Sequence, residues 1–172
     1  MASNTLTKAY AALGDETPLI GDCGHLCGKA CCKGIDGEIT GMLLFPGESE
    51  LLEDTKGFEI MESGLLLADV PIKLLVCGGN CDRVKRPLMC RFFPLIPYVS
   101  IAGNPNLRMN RFFGLCPLVR SGGKRQLKPA FLLAAKNAAK ILLKDKLCIG
   151  MIHLLSRQAD EMDDDPFYSL LS

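Results

Sequence analysis

The sequence is poor in histidine, with only His25 and His153 among 172 residues. Histidine is the side chain that most often acts as a general base near neutral pH. His153 lies in an apolar helical pattern, where we expect a packing or capping role. No nucleophile, base and orienting acid can be assembled around either histidine, so the sequence assigns no catalytic residues and leaves open whether the chain is an enzyme.

Long hydrophobic runs and export signals are also missing. Charged side chains interrupt the longest apolar stretches, residues 64–79 and 129–155, so neither is typical of a transmembrane helix. The N-terminal residues lack a basic flank, an apolar stretch and a small-residue cleavage site. We therefore expect a cytoplasmic protein without membrane contact, whose thiols stay reduced.

Cysteine, in contrast, is abundant, and its odd count of nine fits complete disulfide pairing poorly. Cys148 lies in an apolar helical pattern and is predicted to be a core thiol. The other eight lie mostly among glycine and polar residues and form two groups. The first group, CGHLCGKACC, contains Cys23, Cys27, Cys31 and Cys32; the second contains Cys77, Cys81, Cys90 and Cys116.

Clustered thiolates on glycine-bearing loops favour metal binding, because thiolates are soft anionic ligands and glycine permits the turns that aim them inward. Four such ligands complete a tetrahedral zinc site or hold the corners of an iron–sulfur cube, and the spacing leaves both open. The gaps do not match the C-x2-C motif of thioredoxin-like proteins. The eight cysteines are therefore our predicted metal ligands, with zinc or an iron–sulfur cluster as the cofactor.

Two points about the first group stay open. Cys31 and Cys32 are adjacent, and neighbouring side chains of an extended chain point apart, so they could serve two centres or only one of them could bind. His25 could replace a thiolate as a ligand or be a solvated loop residue. The number of centres is not fixed by the spacing.

Charge is segregated along the chain although the net charge is only +1. Residues 36–69 contain nine carboxylates and one base, whereas residues 83–128 contain ten bases and no acid. This asymmetry indicates an anionic or protein partner at the basic segment, or else two stretches that neutralise each other or surround an anionic metal–thiolate centre. The repeated Arg-Phe-Phe at residues 91–93 and 111–113 also fits stacking on nucleic acid, but phenylalanines beside prolines more often lie in a core.

Hydrophobic periodicity predicts one α+β domain with a small irregular sheet, cysteine-rich metal-binding loops and C-terminal packing helices. Residues 1–122 form the predicted cysteine-rich core, 123–160 the C-terminal helices and 161–172 an acidic tail that is a poor helix. The predicted elements are a helix over 5–13, a loop over 14–37, a strand over 38–45, a short helix over 46–53, a hairpin of 58–61 with 65–70, a strand over 73–77, loops over 78–117, and helices beginning at Pro129 and over 146–158.

The run CDRVKRPLMCRFFPLIP has Arg86-Pro87 before Cys90-Arg91 and an aromatic-proline step after it. Together with the upstream cysteines, it resembles the bacterial cysteine-cluster proteins of the YkgJ type, which are described as zinc- or iron-chelating domains. The resemblance covers about residues 23–116 and implies that the eight grouped cysteines bind metal. Related cysteine patterns in flagellin lysine N-methylases imply methyl transfer to protein lysine as an alternative function.

Two arginines of this run have a physical role beside such a centre. A four-thiolate zinc or an oxidised cubane carries net negative charge, which guanidinium donors can offset. Arg86 and Arg91 are therefore predicted to surround the metal ligands, unless they are simply surface arginines of a basic loop.

Overall fold

The computed structural model describes residues 2–21, 23–33, 41–52, 57–78, 85–111, 116–121 and 123–164. Its helices and two small antiparallel sheets make the chain an α+β protein, as the sequence predicts. The helices are α1 (Ala2–Leu13), α2 (Gly24–Cys27), α3 (Ala30–Lys33), α4 (Leu88–Phe92), α5 (Pro117–Ser121), α6 (Pro129–Leu142) and α7 (Lys146–Asp164). The strands are β1 (Met42–Leu43), β2 (Phe58–Leu67), β3 (Val70–Cys77), β4 (Leu95–Val99) and β5 (Pro105–Met109), and 3₁₀ turns span Glu48–Leu51 and Gly123–Gln126.

The first sheet has the antiparallel order β1-β3-β2, and its hairpin turns later than predicted. The glycine expected in the turn, Gly64, instead lies in an irregularity of one continuous strand β2, where its φ is +78°. The Ser63 hydroxyl bridges that irregularity by donating to the Ile72 carbonyl at 2.5 Å. Ala68 and Asp69 form the two-residue turn, and both have positive φ. A type I′ hairpin turn requires positive φ at its two central residues.

The predicted strand over 38–45 is reduced to the two residues of β1 within the described part of the chain. Gly41 precedes it and approaches β3 closely: a Cβ at Gly41 would lie 2.6 Å from the Leu75 carbonyl oxygen. Only glycine allows this approach without a shift of the backbone. β1 therefore lies tightly against the end of β3 that carries Cys77.

The segment predicted as loops over 78–117 contains the hairpin of β4 and β5. This hairpin was missed in the sequence analysis because the prolines of the segment disfavour regular elements. Pro97 pairs with Leu107 in the middle of this hairpin. A two-stranded sheet consists only of edge strands, and edge strands tolerate proline because the missing N–H can face outward. Helix α4 precedes β4 directly and packs against it.

The two long C-terminal helices begin where the sequence predicts, but α7 ends later. It continues to Asp164, so the predicted end at 158 is wrong, and residues 161–164, predicted to be a poor helix, are helical; residues 165–172 lie outside the described residues. Acidic residues are unfavourable at a helix C-terminus, but cations from the neighbouring hairpin offset them here. Arg108 pairs with Asp160 and Asp163, and Arg111 Nη1 lies 3.0 Å from Asp163 Oδ1.

The main core is continuous from α1 through α6 and α4 to β4 and α7. α1 packs across α6, and α4 lies against α1, β1 and β4. The cysteine-bearing helix α4 is thus supported on several sides by core elements. Among the residues described, no helix has the combination of length and apolar composition needed to cross a membrane.

Candidate metal centre

Five predicted ligands line a single cavity of about 80 Å³, which we call the thiol cavity. Three come from the first cysteine group and two from the second, and they are Cys23, Cys31, Cys32, Cys77 and Cys90. A single water-sized group needs roughly 10–15 Å³, so the cavity has room for an ion and further ligands. The fold therefore brings together two groups that are far apart in sequence.

The first group lies on two single-turn helices, α2 and α3, in a segment predicted as a loop. Cys23 is the N-cap of α2 and Cys27 its last residue. Gly28 and Lys29 then take the left-handed conformation, with φ of +58° and +61°, and turn the chain into α3. The Cys32 amide donates to the Lys29 carbonyl at 2.8 Å, which places Cys31 and Cys32 on the second helical turn.

The adjacent pair Cys31 and Cys32 does not point apart. The Sγ atoms lie 3.9 Å from each other and both residues line the thiol cavity, because the backbone is helical here and not extended. The contact with Cys32 raises the pKa of the Cys31 thiol, with burial and the nearby thiols of Cys23 and Cys27 adding to the effect. The Cys31 thiol therefore resists ionisation unless a cation lies beside it.

The second group reaches the cavity from a strand and a helix. Cys77 ends β3 and pairs in register with Phe58 of β2, which also lines the cavity. Cys90 is the third residue of α4. Apolar side chains, including Met42, Phe58 and Leu75, form much of the remaining wall. The thiols therefore share the cavity lining with many apolar side chains, whose presence around a metal site limits its contact with water.

Two further predicted ligands, Cys27 and Cys116, do not line the cavity. Cys27 is close enough to raise the pKa of both Cys31 and Cys116. Cys116 itself is buried before α5, and that burial is the main cause of its raised pKa. Cys81 lies outside the described residues. Cys148, predicted as a core thiol, is fully buried in α7 and does not line the cavity.

Both predicted arginines line the thiol cavity and are partly buried. Arg91 Nε donates to the Arg86 carbonyl at 3.0 Å, and Arg91 Nη1 donates to the Gly14 carbonyl at 3.1 Å. The Arg91 guanidinium also lies 4.8 Å from the centroid of the Tyr10 ring. These contacts hold one positive charge at the edge of the thiols.

The thiols share a cavity without forming a finished coordination sphere. In the parts of the chain that the structure describes, no group of three or more histidine, cysteine, aspartate or glutamate side chains is already arranged to hold a metal ion. None of the eight cysteines within the described ranges is in a disulfide. The chemistry available is thus that of neighbouring thiols, which can be drawn onto a soft cation.

The structure also bears on the predictions for the histidines, the Arg-Phe-Phe repeats and the basic segment. His25 is exposed on α2 and does not line the cavity, and His153 is exposed and not packed. Phe92 and Phe93 are buried, so their rings are not available to stack on nucleic acid, and Phe112 and Phe113 lie outside the described residues. The ion pairs of the basic segment include Arg108 with Asp160 and Lys128 with Glu16 at 3.0 Å.

Two residues next to the site were missed by sequence reasoning. Glu48 is completely buried, although the sequence indicates only an acidic residue near the start of a short helix. Tyr10 donates to Glu48 Oε1 at 2.5 Å and stacks on Arg91. Nothing in the local pattern marks either residue, because their contacts join segments that are distant in sequence.

Comparison with known proteins adds no relative to this geometry: no protein-family model matches the chain, and neither a curated protein nor a solved structure shows significant similarity to it.

Proposed function

We propose that this chain is a cytoplasmic metal-binding protein of the bacterial cysteine-cluster type, which holds zinc or an iron–sulfur cluster by thiolates around the thiol cavity. The observation that carries the proposal is the meeting of Cys23, Cys31 and Cys32 with Cys77 and Cys90 around one cavity. Cysteines that only filled the core would not be expected to come from two sequence groups and line one cavity. The proposed role is structural or electron transfer.

The electrostatics of the cavity support this proposal. The neighbouring thiols raise the pKa of Cys31, so its thiolate is unfavourable beside them, and a bound cation would reverse that relation. Binding would release protons, since the thiolate is the ligand. Arg86 and Arg91 would then offset the net negative charge that four thiolates leave on a divalent ion.

The number of thiols bears on the kind of centre. Five line the cavity and Cys27 lies close by, which exceeds the four ligands of one tetrahedral zinc. A second ion would use the surplus, whereas one zinc or one iron–sulfur cube, each with four cysteine ligands, would leave at least one thiol unligated. Both cofactors therefore stay within the proposal.

Metal analysis of anaerobically purified protein, combined with its visible spectrum, tests the proposal. Colour with broad visible absorption and bound iron indicates a cluster, and colourless protein with stoichiometric zinc indicates a zinc site. Protein that retains no metal and takes up neither zinc nor iron with sulfide contradicts the proposal.

A matched pair of cysteine variants locates the metal. Cys77→Ser removes a thiol from the cavity lining, and Cys148→Ala removes a buried thiol elsewhere. We expect the first variant to lose most bound metal and the second to retain it. Equal metal content in both variants would place the metal away from the thiol cavity.

A further inference from the structure

Glu48 is a buried carboxylate that receives hydrogen bonds from three different segments. It is 0% exposed. Its Oε2 atom accepts from the Phe45 amide at 2.8 Å, and its Oε1 atom accepts from the Leu88 amide at 2.6 Å and the Tyr10 hydroxyl at 2.5 Å. An acid is rarely placed in a core without such partners, because an unpaired buried charge is costly. The three donors therefore account for its presence there.

One of these bonds caps the helix that carries Cys90. The first amides of a helix have no partner within the helix. The N-cap residue of α4, Pro87, makes no capping hydrogen bond with its side chain. Glu48, 40 residues earlier in sequence, supplies the acceptor for Leu88 at the start of α4. The position of Cys90, two residues further on, thus depends on where Glu48 holds this end of the helix.

Tyr10 joins the same carboxylate to the arginine beside Cys90. Its hydroxyl binds Glu48, and its ring lies under the Arg91 guanidinium at 4.8 Å. Arg91 follows Cys90 on α4, and its other contacts reach the carbonyls of Arg86 and Gly14. Glu48 is therefore linked to Arg91 by two routes, one through helix α4 and the other through Tyr10.

We propose that Glu48, assisted by Tyr10, is a positioning residue of the metal centre, which fixes Cys90 and Arg91 at the thiol cavity before metal arrives. This inference rests on the proposed metal-binding function, to which it adds residues outside the cysteine groups. Neither Glu48 nor Tyr10 lines the cavity, so both act through α4. Outer partners that orient metal ligands typically contribute 10–100-fold to metal affinity.

The test compares Glu48→Gln with Ser156→Ala in zinc titrations. Glu48→Gln keeps the side-chain volume but replaces one acceptor oxygen by an NH2 group. Ser156 is also buried and makes two hydrogen bonds, with the Val99 amide at 2.9 Å and the Ile152 carbonyl at 2.7 Å, but it does not line the cavity. We expect zinc affinity to fall about 10–100-fold in Glu48→Gln and to stay unchanged in Ser156→Ala. Equal losses in both would overturn the inference, since they would report stability alone.

Residue-specific alkylation supplies a readout that general destabilisation does not move. In zinc-loaded Glu48→Gln, Cys90 should react with iodoacetamide before Cys77, because Cys77 is held by β3 and not by α4. Tyr10→Phe removes only the hydroxyl and should give the same order of reaction with a smaller loss of affinity. Tyr10→Phe also tests the inference if Glu48→Gln does not fold. Simultaneous reaction of both cysteines contradicts a positioning role.

The failure of the proposed function would be visible separately. If the wild-type protein binds neither zinc nor iron, the metal centre is wrong whatever Glu48 does. Alkylation of the metal-free proteins then still decides the positioning role, since Glu48→Gln or Tyr10→Phe should change the rate at Cys90 relative to Cys77. An unchanged ratio of rates would overturn it.

Discussion

The cysteine-bearing helices α2 and α3 and the C-terminal helices α6 and α7 differ in what keeps them ordered. α6 and α7 span 14 and 19 residues and bury a continuous apolar face. α2 and α3 have four residues each, and α2 buries none of its side chains fully. Isolated helices shorter than about 12 residues are marginal in water, because nucleation is costly. Single turns such as these therefore need support from another source.

The difference indicates where a metal would contribute most to folding. The long helices are stabilised by core packing and, at the end of α7, by ion pairs, so a metal could add little to them. Cys23, at the N-cap of α2, and Cys31 of α3 are only partly buried where they pack against the core. A bound ion would add bonds to their thiolates that this packing does not supply.

The largest expected effect that separates the two regions is that of metal removal. In small zinc-finger peptides a structural zinc supplies about 10–16 kcal/mol at pH 7, and the ordering of the ligand loops depends on it. Stripping the metal should therefore raise hydrogen exchange in residues 23–33 greatly while exchange in α6 and α7 stays slow. Hydrogen–deuterium exchange with peptide mass spectrometry measures both regions in one sample.

Reloading with zinc is the control for this experiment, and it should restore protection in residues 23–33. Two outcomes would contradict the expected difference between the two regions. Unchanged exchange in both regions would mean that the thiol helices are ordered without metal. A rise in both regions would mean that the metal supports the whole domain.

Sequence reasoning predicted the long helices better than the short elements, because a long apolar face repeats its pattern along the chain. The sequence predicts α6 from Pro129 at its start and from the spacing of Phe131, Ala135 and Leu142. These three apolar residues repeat the same helical period, so the prediction does not depend on any one of them. The β2–β3 turn offers no such repetition. A single glycine, Gly64, indicated the turn, but it serves an irregularity within the strand, and the turn uses Ala68 and Asp69.

The next largest effect is expected from a core substitution in α6. Phe131 is 0% exposed, so Phe131→Ala should lower the free energy of unfolding by about 3–5 kcal/mol through lost burial and the cavity left behind. Leu133→Ala on the same helix is the matched control, because Leu133 is 61% exposed and the change should stay within about 0.5 kcal/mol. Urea denaturation of the metal-loaded proteins measures both values.

Metal content sharpens the interpretation of the Phe131 variant. If the two regions are supported independently, folded Phe131→Ala should hold as much metal as the wild type. A variant that loses metal in proportion to its stability would show that the thiol cavity depends on the packing of α1 against α6.

The candidate ligands could be selected from the sequence, but their meeting at one cavity and the surroundings of that cavity could not. Cysteines in a polar, glycine-bearing context are visible as a composition signal. The sequence left open whether Cys31 of the first group and Cys77 and Cys90 of the second serve one centre, and the structure places all three at one cavity. Glu48 is different, because its role depends on contacts with Tyr10 and Leu88 that no local pattern encodes. Long-range contacts of single residues give no periodicity to detect.

A smaller effect than that of Phe131→Ala is expected from Cys148→Ala, which removes a thiol from the well-packed region. Cys148 is 0% exposed and does not line the thiol cavity, so it does not share the cavity of the candidate ligands. Burial raises the pKa of its thiol to about 12, with Asp145 adding to the shift. Its loss should cost about 1 kcal/mol in the free energy of unfolding, as for a typical substitution, and leave metal content unchanged. Denaturation and metal analysis of the same preparation test both statements. A loss of metal would contradict the separation of this thiol from those of the cavity, and would make α7 part of the metal centre.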